Sequence, residues 1–207
     1  PALSPRRRAA LVEWAAATGG VIVEDVYDSE LAEQRPGAVQ GLAPERVVLI
    51  GSASQRLAPG LRLGWMLTPS WLTWPLTEAR AVEGQANDVI TQLAFTDFLA
   101  RGELDRHLRR TRARYAGRRA TLLAALAVQL PHLQVRASPP AGLFVLAEGE
   151  LDEPATVAAA AEHGVGLEPL GLHRFEPDGQ SGLILGYGAL AEPALERAVA
   201  LLAAAVV

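Results

Sequence analysis

Gly51-Ser-Ala-Ser-Gln-Arg-Leu-Ala-Pro-Gly-Leu-Arg-Leu-Gly64 follows one largely apolar run, residues 46–50, and from Leu61 enters a second, residues 61–67. Its small residues predict a loop joining two strands. The first run is short and continuous, the pattern of a strand buried in a parallel sheet, and the second is stopped by Pro69. Upstream, Val21-Ile-Val23 reads as another buried parallel strand. Glu24-Asp25 follows it at once, which puts Asp25 at a carboxyl end of the sheet, where ligands of open α/β sheets bind. Ser4-Pro5 predicts a helix start, with Ser as the cap and Pro in the first turn, and Gly19-Gly20 predicts its end. Residues 28–45 read as an irregular connection broken by Pro36-Gly37 and Pro44.

Downstream, the apolar spacing predicts one or two helices over 71–82 and 88–100, then a long helix over 104–130 ended by Pro131. The pattern then changes. Strands are expected at 133–136 and 142–147 with Pro139-Pro140 between them, a helix over 153–163 closed by Gly164, a strand at 183–187 and a last helix over 192–206. This second half reads as a small α/β unit, so the expected division is 1–101 and 102–207, with the long helix as the bridge. No internal repeat is visible.

The chain has 207 residues, half of them hydrophobic and a fifth charged, which is ordinary for a globular protein able to bury a core. Its net charge of −4 does not suit a general nucleic-acid or membrane binder. The absence of cysteine removes disulfides, thiolate metal sites and thiol nucleophiles, and fits the cytoplasm. No apolar run reaches the roughly 18 residues of a membrane span, and no secretory signal opens the sequence. The first residue is Pro1 and the only methionine is Met66, so we read the sequence as a fragment, a processed product or a trimmed chain.

Lysine is also absent, so all 19 basic residues are arginine. Codon bias in a GC-rich genome is one reading of this at surface positions. It does not account for Gln55, because that bias favours Arg as the substitute. A glutamine amide has no free amine, and the neighbouring Arg56 remains a protonated guanidinium.

Asp25-Val26-Tyr27, Ser52, Gln55 and Arg62 have plain readings one by one: a turn cap, a tyrosine at a sheet edge, a loop hydroxyl and an arginine snorkelling from a strand. Taken together, in this order, they resemble the active-site stretch of pyridoxal-phosphate enzymes of the aminotransferase type. The resemblance implies that Asp25 pairs with the cofactor ring nitrogen and Tyr27 donates to the ring hydroxyl oxygen. Ser52 and Arg62 would then hold the phosphate, for which Arg offers a rigid donor fork. Gln55 stands where a lysine amine would hold the cofactor covalently.

The likeness extends further. Glu24-Asp-Val-Tyr-Asp-Ser-Glu30, residues 46–65, Phe98-Leu-Ala-Arg-Gly-Glu-Leu-Asp-Arg-His-Leu-Arg-Arg110, Ala141-Gly-Leu143 and Leu185-Gly-Tyr187 resemble the MocR group of GntR-type transcription regulators. The resemblance covers essentially the whole chain and implies an α/β fold. This would be a partial fold type I aminotransferase-like architecture, the end of the large-domain sheet plus a small C-terminal α/β domain. It departs from the group's pattern at Gln55, at Val26 for a second Asp, and at Ala58 for an aromatic. Ile184 stands about where many aminotransferases place an arginine for the substrate carboxylate.

The resemblance therefore implies a degenerate effector-sensing and dimerisation domain without covalent pyridoxal phosphate. Cofactor-binding candidates are Asp25, Tyr27, Ser52, Gln55 and Arg62, and no residue is assigned to catalysis or to a metal. The ligand would be pyridoxal phosphate or another phosphorylated small molecule, held non-covalently. The expected partners are a second copy of the chain, a small-molecule effector, and DNA only through a winged helix-turn-helix absent from this sequence. The alternatives are a structural dimerisation module without ligand and a working aminotransferase.

Arg106, Arg109, Arg110, Arg112, Arg114, Arg118 and Arg119 crowd the long helix. They form either a surface for an anionic partner or a solvated helix face in a lysine-free chain, and the latter is favoured because only Tyr115 interrupts them. Trp65, Trp71 and Trp74 read as core or interface. The four histidines lack metal-ligand spacing.

Overall fold

The computed structural model describes residues 3–26, 37–54, 56–84, 88–136, 143–175 and 180–206. The chain divides into two compact units, Pro1–Arg109 and Arg110–Val207. The division falls inside helix α4 (Glu103–Gln129).

In the first unit, helix α1 (Pro5–Thr18) begins where Ser4 Oγ accepts the Arg7 N–H at 3.3 Å and ends at Gly19, whose φ of 72° is left-handed. Strands β1 (Ile22–Asp25), β2 (Val47–Ser52) and β3 (Gly64–Leu67) form one sheet in the order β1-β2-β3. β1 pairs parallel with β2, Ile22 opposite Val47 and Asp25 opposite Ile50. β3 returns antiparallel, with Trp65 opposite Gly51 and Gly64 opposite Ser52.

The core of this unit gathers Val39, Ala43 and Val47, with Val12 and Ile22 packed on them. The Glu24 carboxylate fastens the chain after residue 37 to the sheet by accepting the N–H groups of Val39 (2.8 Å) and Gln40 (2.9 Å). Helices α2 (Ser70–Val82) and α3 (Val89–Ala100) follow, and neither buries a residue.

Among the described residues the second unit holds four antiparallel strands: β4 (Gln134–Arg136), β5 (Phe144–Glu148), β6 (Glu168–Pro169) and β7 (Gly182–Gly186), in the order β4-β5-β7-β6. Strand alternation sends Val145, Ala147, Leu183 and Leu185 to one face. There they join Leu122, Leu126 and Leu130 of α4, Ala160 of α5 (Glu153–Glu162), and Leu195, Val199 and Leu202 of α6 (Glu192–Val206) in a single core.

The Glu153 carboxylate stitches the start of α5 to two later segments. It accepts the N–H of Gly171 at 2.8 Å and that of Gly182 at 2.6 Å. Arg118 of α4 donates to the Gly188 carbonyl beyond β7.

The structure departs from the sequence expectations in three main places. The third strand begins at Gly64 rather than 61. Residues Pro59–Leu61 form a 3-10 turn, because Pro59 and Gly60 close a tight bend before the chain can extend. The expectation that β1 is buried on both faces does not hold: its exposure alternates and Val23 is 63% exposed, because successive side chains point to opposite faces of the sheet and only one face is covered here. Strand β6 was not foreseen. It is two residues long and exists through its pairing with Ile184 and Leu183. Of the tryptophans read as core or interface, Trp71 and Trp74 are exposed, which sets aside the core alternative for these two and leaves the interface one, and Trp71 Nε1 donates to the Glu45 carbonyl at 3.1 Å.

Candidate functional site

The parallel pairing of β1 and β2 brings Asp25 and Ser52 to the same, carboxyl end of the sheet, for each is the last residue of its strand. Asp25 is exposed there and Ser52 is half-buried. The pairing of Ser52 with Gly64 sets Arg62 two residues beyond the ladder at this same end. Three of the five candidate residues are thus placed by register alone. Tyr27 and Gln55 lie outside the described residues.

The loop after β2 is tightly organised where it is described. Ser52 Oγ accepts the Ser54 N–H at 3.1 Å, the Ala53 N–H donates to the Leu63 carbonyl at 2.8 Å, and the Leu57 N–H closes a turn on the Ala53 carbonyl at 2.9 Å. Ala53 is fully buried. Arg62 adopts φ 48° and ψ 32°, and it is the one non-glycine residue of positive φ among the described residues. A side chain in this left-handed region costs about 1 kcal/mol relative to glycine, and such outliers gather where a particular side chain is required.

Sequence reasoning missed the packing that braces this loop. Arg56 places its guanidinium 4.4 Å from the Trp65 ring centroid, a cation–π contact, and Trp65 stacks at 6.4 Å on Phe95. The Trp65 ring lies over Gly51 so closely that a Cβ there would fall 2.5 Å from it. The signal was present in the antiparallel return, which sets Trp65 opposite Gly51, but it needs the register to be seen.

The remaining expectations separate by location. Ala58 caps the 3-10 turn and is exposed, and Val26 donates its N–H to the Ile50 carbonyl at 3.0 Å. Ile184 lies half-buried in β7, on the sheet face opposite the core of the second unit. On α4, Arg106 is paired with Glu103, and Arg118 sits 5.9 Å from the Tyr115 ring centroid. Among the described residues no group of His, Cys, Asp and Glu could hold a metal ion, and no helix is long and apolar enough to cross a membrane.

This arrangement can be compared with known proteins. No protein-family model matches the chain. It is 34% identical over 191 residues to the uncharacterized HTH-type transcriptional regulator YhdI of Bacillus subtilis (strain 168), a match covering 90% of this chain and 41% of that protein. It is 33% identical over 174 residues to the probable rhizopine catabolism regulatory protein MocR of Rhizobium meliloti, covering 82% of this chain and 35% of that protein. Among solved structures it resembles LysN, the alpha-aminoadipate aminotransferase of Thermus thermophilus, in its complex with N-(5'-phosphopyridoxyl)-L-leucine. That likeness has a TM-score of 0.79 and 25% identity, and covers 96% of this chain and 53% of that one. The chain therefore spans less than half the length of these two curated relatives.

Proposed function

Because the chain belongs to the MocR group of GntR-type transcription regulators, over the C-terminal part of the group's aminotransferase-like domain, we propose that it is a ligand-sensing and dimerisation domain without transaminase activity. The observation that carries this reading is the convergence of Asp25, Ser52 and Arg62 on one sheet end, in a sequence that offers no lysine. The recognition groups are kept and the amine that would bond covalently is not.

The donor set fits pyridoxal phosphate bound reversibly. Arg62 and Ser52 supply a cation and a hydroxyl for the phosphate. Asp25 supplies the carboxylate that keeps a pyridine nitrogen protonated, and Tyr27 and Gln55 complete the set we propose. When bound, the cofactor supplies an electron-withdrawing ring. Here that capacity goes unused, because proton transfer at the cofactor carbon also needs an amine base. The LysN complex named above, with its phosphopyridoxyl ligand, supports the choice of ligand class.

Dimerisation is supported by α3. It carries Val89, Ile90 and Leu93, all well exposed, and buries nothing within its unit, whereas a helix this apolar is ordinarily covered. We assign DNA contact to a winged helix-turn-helix outside this sequence and the domain's setting to the cytoplasm, following the regulators it is related to.

The test is an absorbance titration of the protein and of Gln55→Lys with pyridoxal phosphate. The expected result is reversible binding by the parent and a borohydride-trapped adduct in the variant alone. Absence of binding by both proteins overturns the ligand-sensing reading in favour of a purely structural domain. Amino-group transfer by the parent overturns the claim that it is no enzyme.

A further inference from the structure

The second unit carries a charged feature that plays no part in the site above. Glu148 ends β5 on the face opposite the core and is only 6% exposed. Gly182, its cross-strand partner, makes room for it, since a Cβ at residue 182 would fall 3.2 Å from the Glu148 Cγ. Arg136 of β4 forms an ion pair through Nε with one carboxylate oxygen, which accepts no hydrogen bond among the described residues, and Arg174 Nη2 donates to the other at 3.4 Å. A buried carboxylate is costly unless paired, and here a single carboxylate divides its charge between two guanidiniums. Arg136 is consequently held in place but only partly neutralised. Its side chain is 69% exposed, and the contact with Glu148 engages Nε rather than the two terminal nitrogens.

The strand register extends this feature into a row. Arg136 stands opposite Leu146, Leu146 opposite Ile184, and Ile184 opposite Glu168, which pairs with His173 Nε2 at 2.8 Å. Leu146 and Ile184 are half-buried, and Phe144 beside them is 38% exposed. A cation thus opens the row, two apolar side chains floor about 10 Å of it at one strand spacing per step, and a carboxylate closes it.

We propose that this face binds the carboxylate of a small apolar acid, with Arg136 as its receptor and Glu148 as the residue that holds Arg136 in position. A planar guanidinium ion-paired through Nε leaves its two terminal nitrogens as a fork for a second carboxylate. Leu146 and Ile184 favour an aliphatic or aromatic body over a polar one. Glu168 at the far end disfavours a second acid group. The inference is independent of the Asp25–Ser52–Arg62 reading, because every residue in it belongs to the second unit.

The experiment is an NMR titration of the whole isotopically labelled chain with hexanoate, 1-hexanol, hexylamine and inorganic phosphate. Hexanoate is expected to shift the amides of β4, β5 and β7 saturably, with the neutral, cationic and inorganic probes much weaker. Arg136→Gln should weaken hexanoate by about tenfold or more, as loss of a charged hydrogen-bond donor does, with its circular dichroism unchanged. Arg101→Gln, which removes another exposed, paired arginine, should leave hexanoate binding as it was. Equal response to phosphate, no saturable shift in these strands, or full binding by folded Arg136→Gln each overturns the proposal.

Discussion

The indole of Trp65 rests on the backbone of Gly51, its cross-strand partner, with the Arg56 guanidinium on the ring and Phe95 stacked alongside. Three atoms of the ring lie within 2.6 Å of where a Cβ at residue 51 would stand. The ring is rigid and already engaged, so it has little freedom to withdraw. Gly51→Ala is expected to destabilise the first unit by about 1–3 kcal/mol, as overpacking does, and to shift the tryptophan emission. Chemical denaturation followed by fluorescence measures both, and an unchanged midpoint would show that Trp65 moves aside freely.

Glu153 joins three segments of the second unit through two backbone N–H groups. Glu153→Ala leaves the Gly182 donor part-buried without its acceptor and should cost about 2 kcal/mol or more. Glu153→Gln keeps one good acceptor oxygen and should cost less. Thermal melts of the two variants test the order.

Asp88 caps α3 by accepting the Thr91 hydroxyl and the Thr91 N–H, both at 2.8 Å. These bonds favour the charged carboxylate and lower its pKa below the ordinary 3.8, the hydroxyl contributing most. The unfolded chain therefore takes up the proton first. The cap's contribution is fully present above 3.8 and fades as pH falls through the lower, folded value. Far-UV circular dichroism on acidification should show α3 weakening in that window, and Asp88→Asn should remove this pH dependence.

Tyr187 is 3% exposed in the core of the second unit. Burial pushes its phenol above the ordinary 10.0, the charge of Arg119 pulls the other way, and Tyr115 adds a smaller upward push. The folded state keeps the proton longer than the unfolded one. Its stability contribution is complete below 10.0 and is lost as pH rises through the folded value. Tyr187 should ionise above 10.0 in an alkaline ultraviolet titration, and Tyr187→Phe should abolish that step.

Local signals were enough wherever one element sets its own limits. Ser4-Pro5 and Gly19 marked the ends of α1, Asp88 marked the start of α3, and the apolar spacing over 192–206 marked α6. An apolar run followed at once by acids was enough to place Asp25 at the end of a strand. What escaped depends on residues far apart in the chain. β6 exists by pairing with β7, Trp65 covers Gly51 through a hairpin-like return, and Glu148 meets Arg174 from 26 residues away. A lone Glu closing an apolar run at 144–148 was the visible trace of that last cluster. Nothing in the sequence named its partners.

Arg62 keeps a left-handed backbone that glycine would hold more comfortably. Replacing it with glycine relieves a backbone cost of about 1 kcal/mol and deletes the guanidinium with the interaction it makes, so the gain to the fold is offset in part while the proposed anion affinity falls outright. A search for hardier variants that screened on heat resistance alone would read the first balance and be blind to the second, the one on which the proposed sensing depends.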